Sequence, residues 1–133
     1  MNQDIVNVIK AYEESLNTSD TQAALALYGD DPVFMPEFSP ALSGRDAVTA
    51  GYDRVFSALK LNVRFTIHEI VEMGELAYVR TTSAGKTEIL AKKATVQEGN
   101  NELFIFRKEK GKWKIHRYLF ASSNPPGAKS GSP

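Results

Sequence analysis

Apolar residues recur at helical spacing in the first part of the chain and alternate with polar ones in the second. Ile5, Ile9, Tyr12 and Leu16, with Val8 beside them, predict a helix from about Gln3 to Leu16. Ser19 followed by Gln22 has the form of a capping box and predicts a second, short helix carrying Ala24, Leu25, Leu27 and Tyr28. Gly29, Asp30 and Asp31 turn the chain into a brief strand, Val33 to Met35, which Pro36 and Pro40 end. A third helix is expected to open at Ser43, with Asp46 completing a second box and Val48, Tyr52, Val55, Phe56 and Leu59 along one face. From Asn62 the period changes: Val63, Phe65 and Ile67 alternate with Arg64, Thr66 and His68. Met73 to Glu75 turns into a second long strand, Leu76 to Ser83. Between Gly85 and Gly99 the pattern weakens to a strand from about Ile89 to Ala94 and a loop through Glu98, Gly99, Asn100 and Asn101. Leu103 to Phe106 and Trp113 to Phe120 then flank a charged connector centred on Gly111, a β-hairpin signal.

Helices first and three or four long antiparallel strands afterwards imply an α+β fold, with three N-terminal helices packed on one face of a strongly curved antiparallel sheet. Curvature around the long helix makes a cone, open at one end. A barrel of eight strands would require strands where the first 28 residues have helical periodicity.

At 133 residues the chain is one domain. The expected folded unit is residues 1–126, followed by a Pro/Gly/Ser-rich tail, 127–133, with no apolar side chain large enough to bury. Cysteine is absent, which excludes disulfides, thiolate metal sites and cysteine nucleophiles. Sixteen basic and sixteen acidic residues cancel, so neither nucleic acid nor an anionic membrane is an expected partner. No run approaches the roughly 18 apolar residues of a transmembrane helix. Met1 to Ile9 lacks the pattern of a signal peptide, so the expected location is cytoplasmic.

Four strings carry a family resemblance: AYEESLNTSDTQAALALYGDDPVFMP, SGRDAV, AYVRTTSAG and ELFIFRKEKGKWKIHRYLFASSNPP. They resemble the SnoaL-like, or NTF2-like, superfamily, whose α+β cone also houses ketosteroid isomerase and polyketide cyclases. The resemblance implies the cone fold and a pocket; its members include enzymes, binders and assembly modules, so function rests on the site. Ketosteroid isomerase uses an aspartate base opposite a tyrosine and a protonated aspartate that hold the enolate oxygen. Tyr12 falls where the resemblance places the tyrosine, either as a pocket donor or as a core tyrosine. Pro36 occupies the position of the base, and Glu37 is one residue out of phase, so the isomerase base is missing. Glu102 lies close to the place of the third acid, or is a charged residue leading into a strand.

Other side chains remain candidates on their own chemistry. Arg80, in mid-strand, has three readings: a binder of an acidic ligand, a partner of a carboxylate such as Glu102, or an outward residue at a dimer rim. His116, placed with Tyr118 on one face of the last strand, titrates near neutrality and needs a hydrogen-bonding partner to act as acid or base. Tyr28, Met35, Tyr52, Phe56, Phe104 and Tyr118 are expected to converge in the cone as an apolar lining. Gly85-Lys86-Thr87 is no phosphate loop, because the first glycine of that motif would stand where Arg80 does. Asp30 and Asp31 read as turn residues, and no metal or cofactor motif is present. Arg107, Lys108, Lys110, Lys112 and Lys114 form a solvated hairpin tip. The expected ligand is small and apolar or aromatic, with a carbonyl held by Tyr12, Tyr118 and His116; whether a reaction of isomerase or cyclase type follows stays open. The other reading is a non-catalytic dimerisation or interaction module, favoured by a sealed interior. Apolar residues on both faces of the strands, Ile70 opposite Val63, Phe65 and Ile67, and Leu103 and Ile105 opposite Phe104 and Phe106, lead to the expectation of a homodimer.

Overall fold

The computed structural model describes residues 1–124, so the expected boundary at 126 and the tail beyond it lie outside the described residues. The first helix, α1, spans Gln3–Asn17, begins at Asn2, whose side chain accepts from the Ile5 N–H at 3.1 Å, and buries Ile5, Ile9, Tyr12 and Leu16. The short α2 covers Thr21–Ala26. Its cap is Asp20 rather than Ser19: the Asp20 carboxylate accepts from the Ala23 N–H at 3.0 Å, while Ser19 closes the end of α1 at φ 55°. Strand β1 runs Tyr28–Met35, so Tyr28 opens a strand instead of ending a helix.

After β1 the chain makes a two-residue strand, β2 at Leu42–Ser43, and then α3 at Arg45–Ala58. Ser43 does not cap α3. It is paired with Val33 in the sheet, and Gly44, at φ 89°, takes the cap position with no side chain to contribute. Four long strands follow: β3 Leu59–Met73, β4 Leu76–Ile89, β5 Ala94–Glu109 and β6 Lys112–Ser122. The sheet order is β2-β1-β6-β5-β4-β3, antiparallel except that β1 runs parallel to β6. The hairpin about Gly111 is present, with Lys110 and Gly111 both at positive φ (52° and 78°), the twist that a two-residue hairpin turn requires.

The largest departure from expectation lies between Gly85 and Asn101. Ile89 and Ala94 are not one strand but the facing ends of β4 and β5, joined by the turn at Leu90–Lys93. Glu98, Gly99, Asn100 and Asn101 are not a loop; they pair with Gly85, Ala84, Ser83 and Thr82. Gly and Asn disfavour strands on their own, but here β4 and the end of β6 supply ladder partners on both sides, and tertiary pairing overrides propensity. Gly85 has a further role. A Cβ there would run into the Asn62 carbonyl of β3, so only glycine permits the close approach at which β3 and β4 bend into the curved, unclosed sheet.

Registers decide which residues face inward. Phe34, Tyr118, Phe104 and Val79 stand side by side across β1, β6, β5 and β4, all buried on the helix side. A shift in register at His68 brings Ile70 to the core side with Phe65 and Ile67, so Ile70 does not belong to the outer face as alternation alone suggests. α1 lies along the otherwise unpaired edge of β3: Asn17 exchanges two hydrogen bonds of 2.9 Å with the Val63 backbone, and the Glu13 carboxylate accepts from the Phe65 N–H at 2.7 Å.

Among the described residues one buried side-chain polar atom lacks a partner, Thr87 Oγ1, on the inner face of β4. Replacing Thr87 by Val, of nearly the same shape, removes an unsatisfied hydroxyl. The variant is expected to gain about 1 kcal/mol, a rise of roughly 3–5 °C in Tm by calorimetry; a fall in Tm would show that the hydroxyl has a partner.

Candidate functional site

Between α1, α3 and the concave side of the sheet lies a cavity of about 130 Å³. Phe34, Leu16, Val55, Leu59, Leu61, Val63, Phe65 and Phe120 make most of its wall. Its polar groups come from the helices, Tyr12 and Tyr52, and from the sheet, Tyr118, Ser83, Glu98, Asn100 and Glu102. A wider mouth of about 560 Å³ shares Leu59, Glu98, Asn100 and Phe120 with it and adds Glu37 and Phe38.

The tyrosines form a chain. Tyr52 Oη on α3 lies 2.7 Å from Tyr12 Oη on α1 and 2.7 Å from Tyr28 Oη on β1. Three hydroxyl protons serve two bonds, so one proton is left over, on the tyrosine that the donor directions leave free. When Tyr28 donates to Tyr52 and Tyr52 to Tyr12, the Tyr12 proton is the free one. Tyr118 adjoins this end, its ring 5.2 Å from that of Tyr12, and stacks on Phe104 at 4.3 Å. Burial pushes the ionisation of Tyr12, Tyr28, Tyr52 and Tyr118 well above the usual phenol range, so all four stay protonated.

Glu102, with only 4 % of its surface exposed, faces the cavity from β5, near enough to Tyr12 and Tyr118 for its charge to act on both. Its two carboxyl oxygens accept from Thr81 Oγ1 at 2.6 Å and Ser83 Oγ at 2.5 Å, both on β4, and Asn100 Nδ2 donates to Ser83 Oγ at 3.3 Å. Desolvation raises its pKa, and the hydrogen bonds from Ser83 and Thr81 oppose that shift without cancelling it. Among the described residues no lysine, arginine or histidine lines the cavity. Burial thus favours the neutral form of Glu102 more than water does, and that form can itself donate a hydrogen bond.

The other candidates from the sequence fall elsewhere. Tyr28 stands behind Tyr52, and Phe104 is core beneath Tyr118. Phe56 packs on the outer side of Tyr52, 5.9 Å away, off the cavity. Met35 pairs with Leu119, and Leu119 with Leu103, which places all three on the outer face. Arg80 also points outward and pairs with Glu69 at 2.6 Å, not with Glu102. His116 does not share a face with Tyr118. The pairings pass from Ile115 to Arg117 and skip His116, a bulge that shifts the phase of β6. There it accepts from Arg117 at 3.2 Å, and burial together with Arg117 and Arg107 lowers its pKa. Glu37, as its phase implied, stays out of the inner cavity; its carboxylate accepts from the Ser122 N–H at 2.6 Å.

Sequence reasoning missed Ser83, Glu98 and Asn100. Taking Glu98–Asn101 as loop hid the alternation Glu98, Asn100, Glu102, which a strand assignment turns into one polar row facing inward.

A family model for the SnoaL-like domain matches residues 9–116, and with it the hydroxyl chain and Glu102. The chain belongs to the SnoaL-like family. Among solved structures it is similar to a ketosteroid isomerase-like protein from Erwinia carotovora atroseptica, with 29 % identity over 94 % of this chain and 100 % of that one and a TM-score of 0.88. It shares the fold of a conserved protein from Planctomyces limnophilus, at 24 % identity over 90 % of this chain and 95 % of that one (TM-score 0.79). It also shares the fold of an NTF2-like protein of unknown function from Shewanella oneidensis, at 22 % identity over 89 % and 96 % (TM-score 0.68). No curated protein matches the chain. Among the described residues no helix is long and apolar enough to cross a membrane.

The Glu102 environment has a consequence for stability. A carboxyl whose folded pKa is raised stabilises the fold below its unfolded pKa, and that contribution is lost as pH rises through the folded value. The variant Glu102→Gln cannot ionise. Its Tm, measured relative to the parent chain, is expected to climb as pH rises above the ordinary carboxyl range of about 4. A difference that stays flat or declines would show that Glu102 is held ionised.

Proposed function

We propose that this SnoaL-like protein binds a small apolar or aromatic ligand of single-ring size and polarises its carbonyl group. The observation that carries the reading is the pairing, in one aromatic-lined cavity, of the Tyr12 end of a buried hydroxyl chain with the buried acid Glu102. A carbonyl oxygen between them meets the Tyr12 hydroxyl, and the neutral form of Glu102 adds a second donor; in a water-poor site such donors favour the build-up of negative charge on oxygen. The volume supports a small ligand: about 130 Å³ compares with the roughly 150 Å³ of an engineered apolar cavity that takes benzene. A four-ring steroid exceeds it unless most of the molecule stays in the mouth.

Proton transfer between carbons needs a base as well. Pro36 stands where the resemblance places one, and a general base contributes on the order of 10²–10⁴-fold in rate. The expected behaviour is therefore carbonyl binding without efficient steroid isomerisation. An open cavity that carries Tyr12 favours a binder over a purely structural module. A homodimer is proposed on separate grounds: Leu103 and Leu119, paired on the outer face and 38 % and 45 % exposed, leave an apolar patch that a second copy would cover.

Two measurements bear on this. Titration with 4-methylacetophenone is expected to show saturable binding that weakens by about 0.5–1.5 kcal/mol in Tyr12→Phe, the loss of one neutral hydrogen bond; equal affinities would remove Tyr12 from the site. Light scattering on a sizing column is expected to give twice the 14.7 kDa of the chain, and a stable monomer would contradict the dimer.

A further inference from the structure

The chain carries sixteen acidic and sixteen basic residues, yet the cavity and its mouth do not share that balance. Glu102, Glu98 and Glu37 line them, and among the described residues no lysine, arginine or histidine does. Two of the three carboxyls are engaged: Glu102 by Thr81 and Ser83, and Glu37 by the Ser122 N–H. Glu98 differs. It is half-buried, belongs to both the cavity and the mouth, and its carboxylate takes part in none of the hydrogen bonds or ion pairs formed among the described residues. Beside it at the mouth stand Phe120, which also lines the interior, and Phe38, 96 % exposed at φ 58°. A carboxylate beside aromatic rings, with no cation among the described residues lining the site, suits a positively charged nitrogen, which gains from the charge and from the rings together.

The spacing fits one molecule. Glu98 and Glu102 face inward from the same strand four residues apart, about 13 Å along it. A ring with substituents at opposite ends bridges that span once the reach of both side chains is counted. We infer that the ligand of this cavity is a single-ring carbonyl compound carrying a protonated amine at its far end, with the carbonyl at Tyr12 and Glu102 and the ammonium at Glu98. The inference rests on the carbonyl-binding reading above and adds the charge of the ligand.

Three para-substituted acetophenones of nearly one shape test it: 4-(aminomethyl)acetophenone, 4-methylacetophenone and 4-acetylbenzoate, titrated at neutral pH by calorimetry. The expected order is cation, neutral, anion, with the cation about tenfold tighter than the methyl compound and the margin shrinking as salt is added. Glu98→Gln is expected to close the gap between cation and methyl compound, and Glu98→Asp, which keeps the charge, to retain the order. A methyl compound that binds as tightly as the amine, or an amine preference that survives Glu98→Gln, would overturn the assignment and leave carbonyl binding standing. If none of the three binds, the carbonyl reading falls and this inference with it.

Discussion

Buried hydroxyls are tolerated only when they are hydrogen-bonded, and the chain from Tyr28 through Tyr52 to Tyr12 meets that demand with groups from β1, α3 and α1. Each element is thereby fixed relative to the other two. Phe34 and Tyr52 stack at 4.7 Å, which presses α3 onto β1, and Asn17 with Glu13 holds α1 on the edge of β3. The cavity is what remains between elements held in this way. Its polar end is preformed, because the tyrosines that line it are already locked by one another and by the rings around them.

The sheet wall of the cavity owes its character to strand alternation. On β5 the row Glu98, Asn100 and Glu102 faces inward, while the next row, Asn101 and Leu103, faces outward. Ser83 and Thr81 on β4 stand directly across from Asn100 and Glu102, and their hydroxyls satisfy the acid at depth. One residue of slip between β4 and β5 would send the whole row to solvent. Against the pattern that the resemblance to ketosteroid isomerase implies, Tyr12 stands in the place of the tyrosine and Glu102 close to that of the deep acid, while the base position holds Pro36. That combination argues for an oxygen-binding end without its usual proton acceptor.

The helices, the hairpin and the order of elements were legible because each has a local signature: helical spacing in α1 and α3, alternation in β3, and a turn at Gly111. The cone and its family followed from that order together with the matching strings. The ends of α2 and α3 were misplaced because Ser19 and Ser43 have the residue type of a cap but not its backbone conformation, which the preceding helix and strand decide. His116 and Ile70 were misassigned for one reason: a bulge adds a residue and reverses the phase, and nothing in the alternation marks where it falls. Tyr12 and Glu102 could be placed by resemblance. Ser83, Asn100 and Glu98 could not, since their role depends on pairing across β4 and β5, a contact that no local pattern encodes.

The central claim is that a ligand carbonyl is held between Tyr12 and Glu102. It is tested most directly by the ¹³C resonance of 4-methylacetophenone labelled at its carbonyl carbon and bound to the protein. Two donors withdrawing density from the oxygen are expected to move that resonance downfield of its position in water, and part of the shift should disappear in Tyr12→Phe. A bound resonance near its position in an alkane would show that the carbonyl meets no donor and would contradict the account.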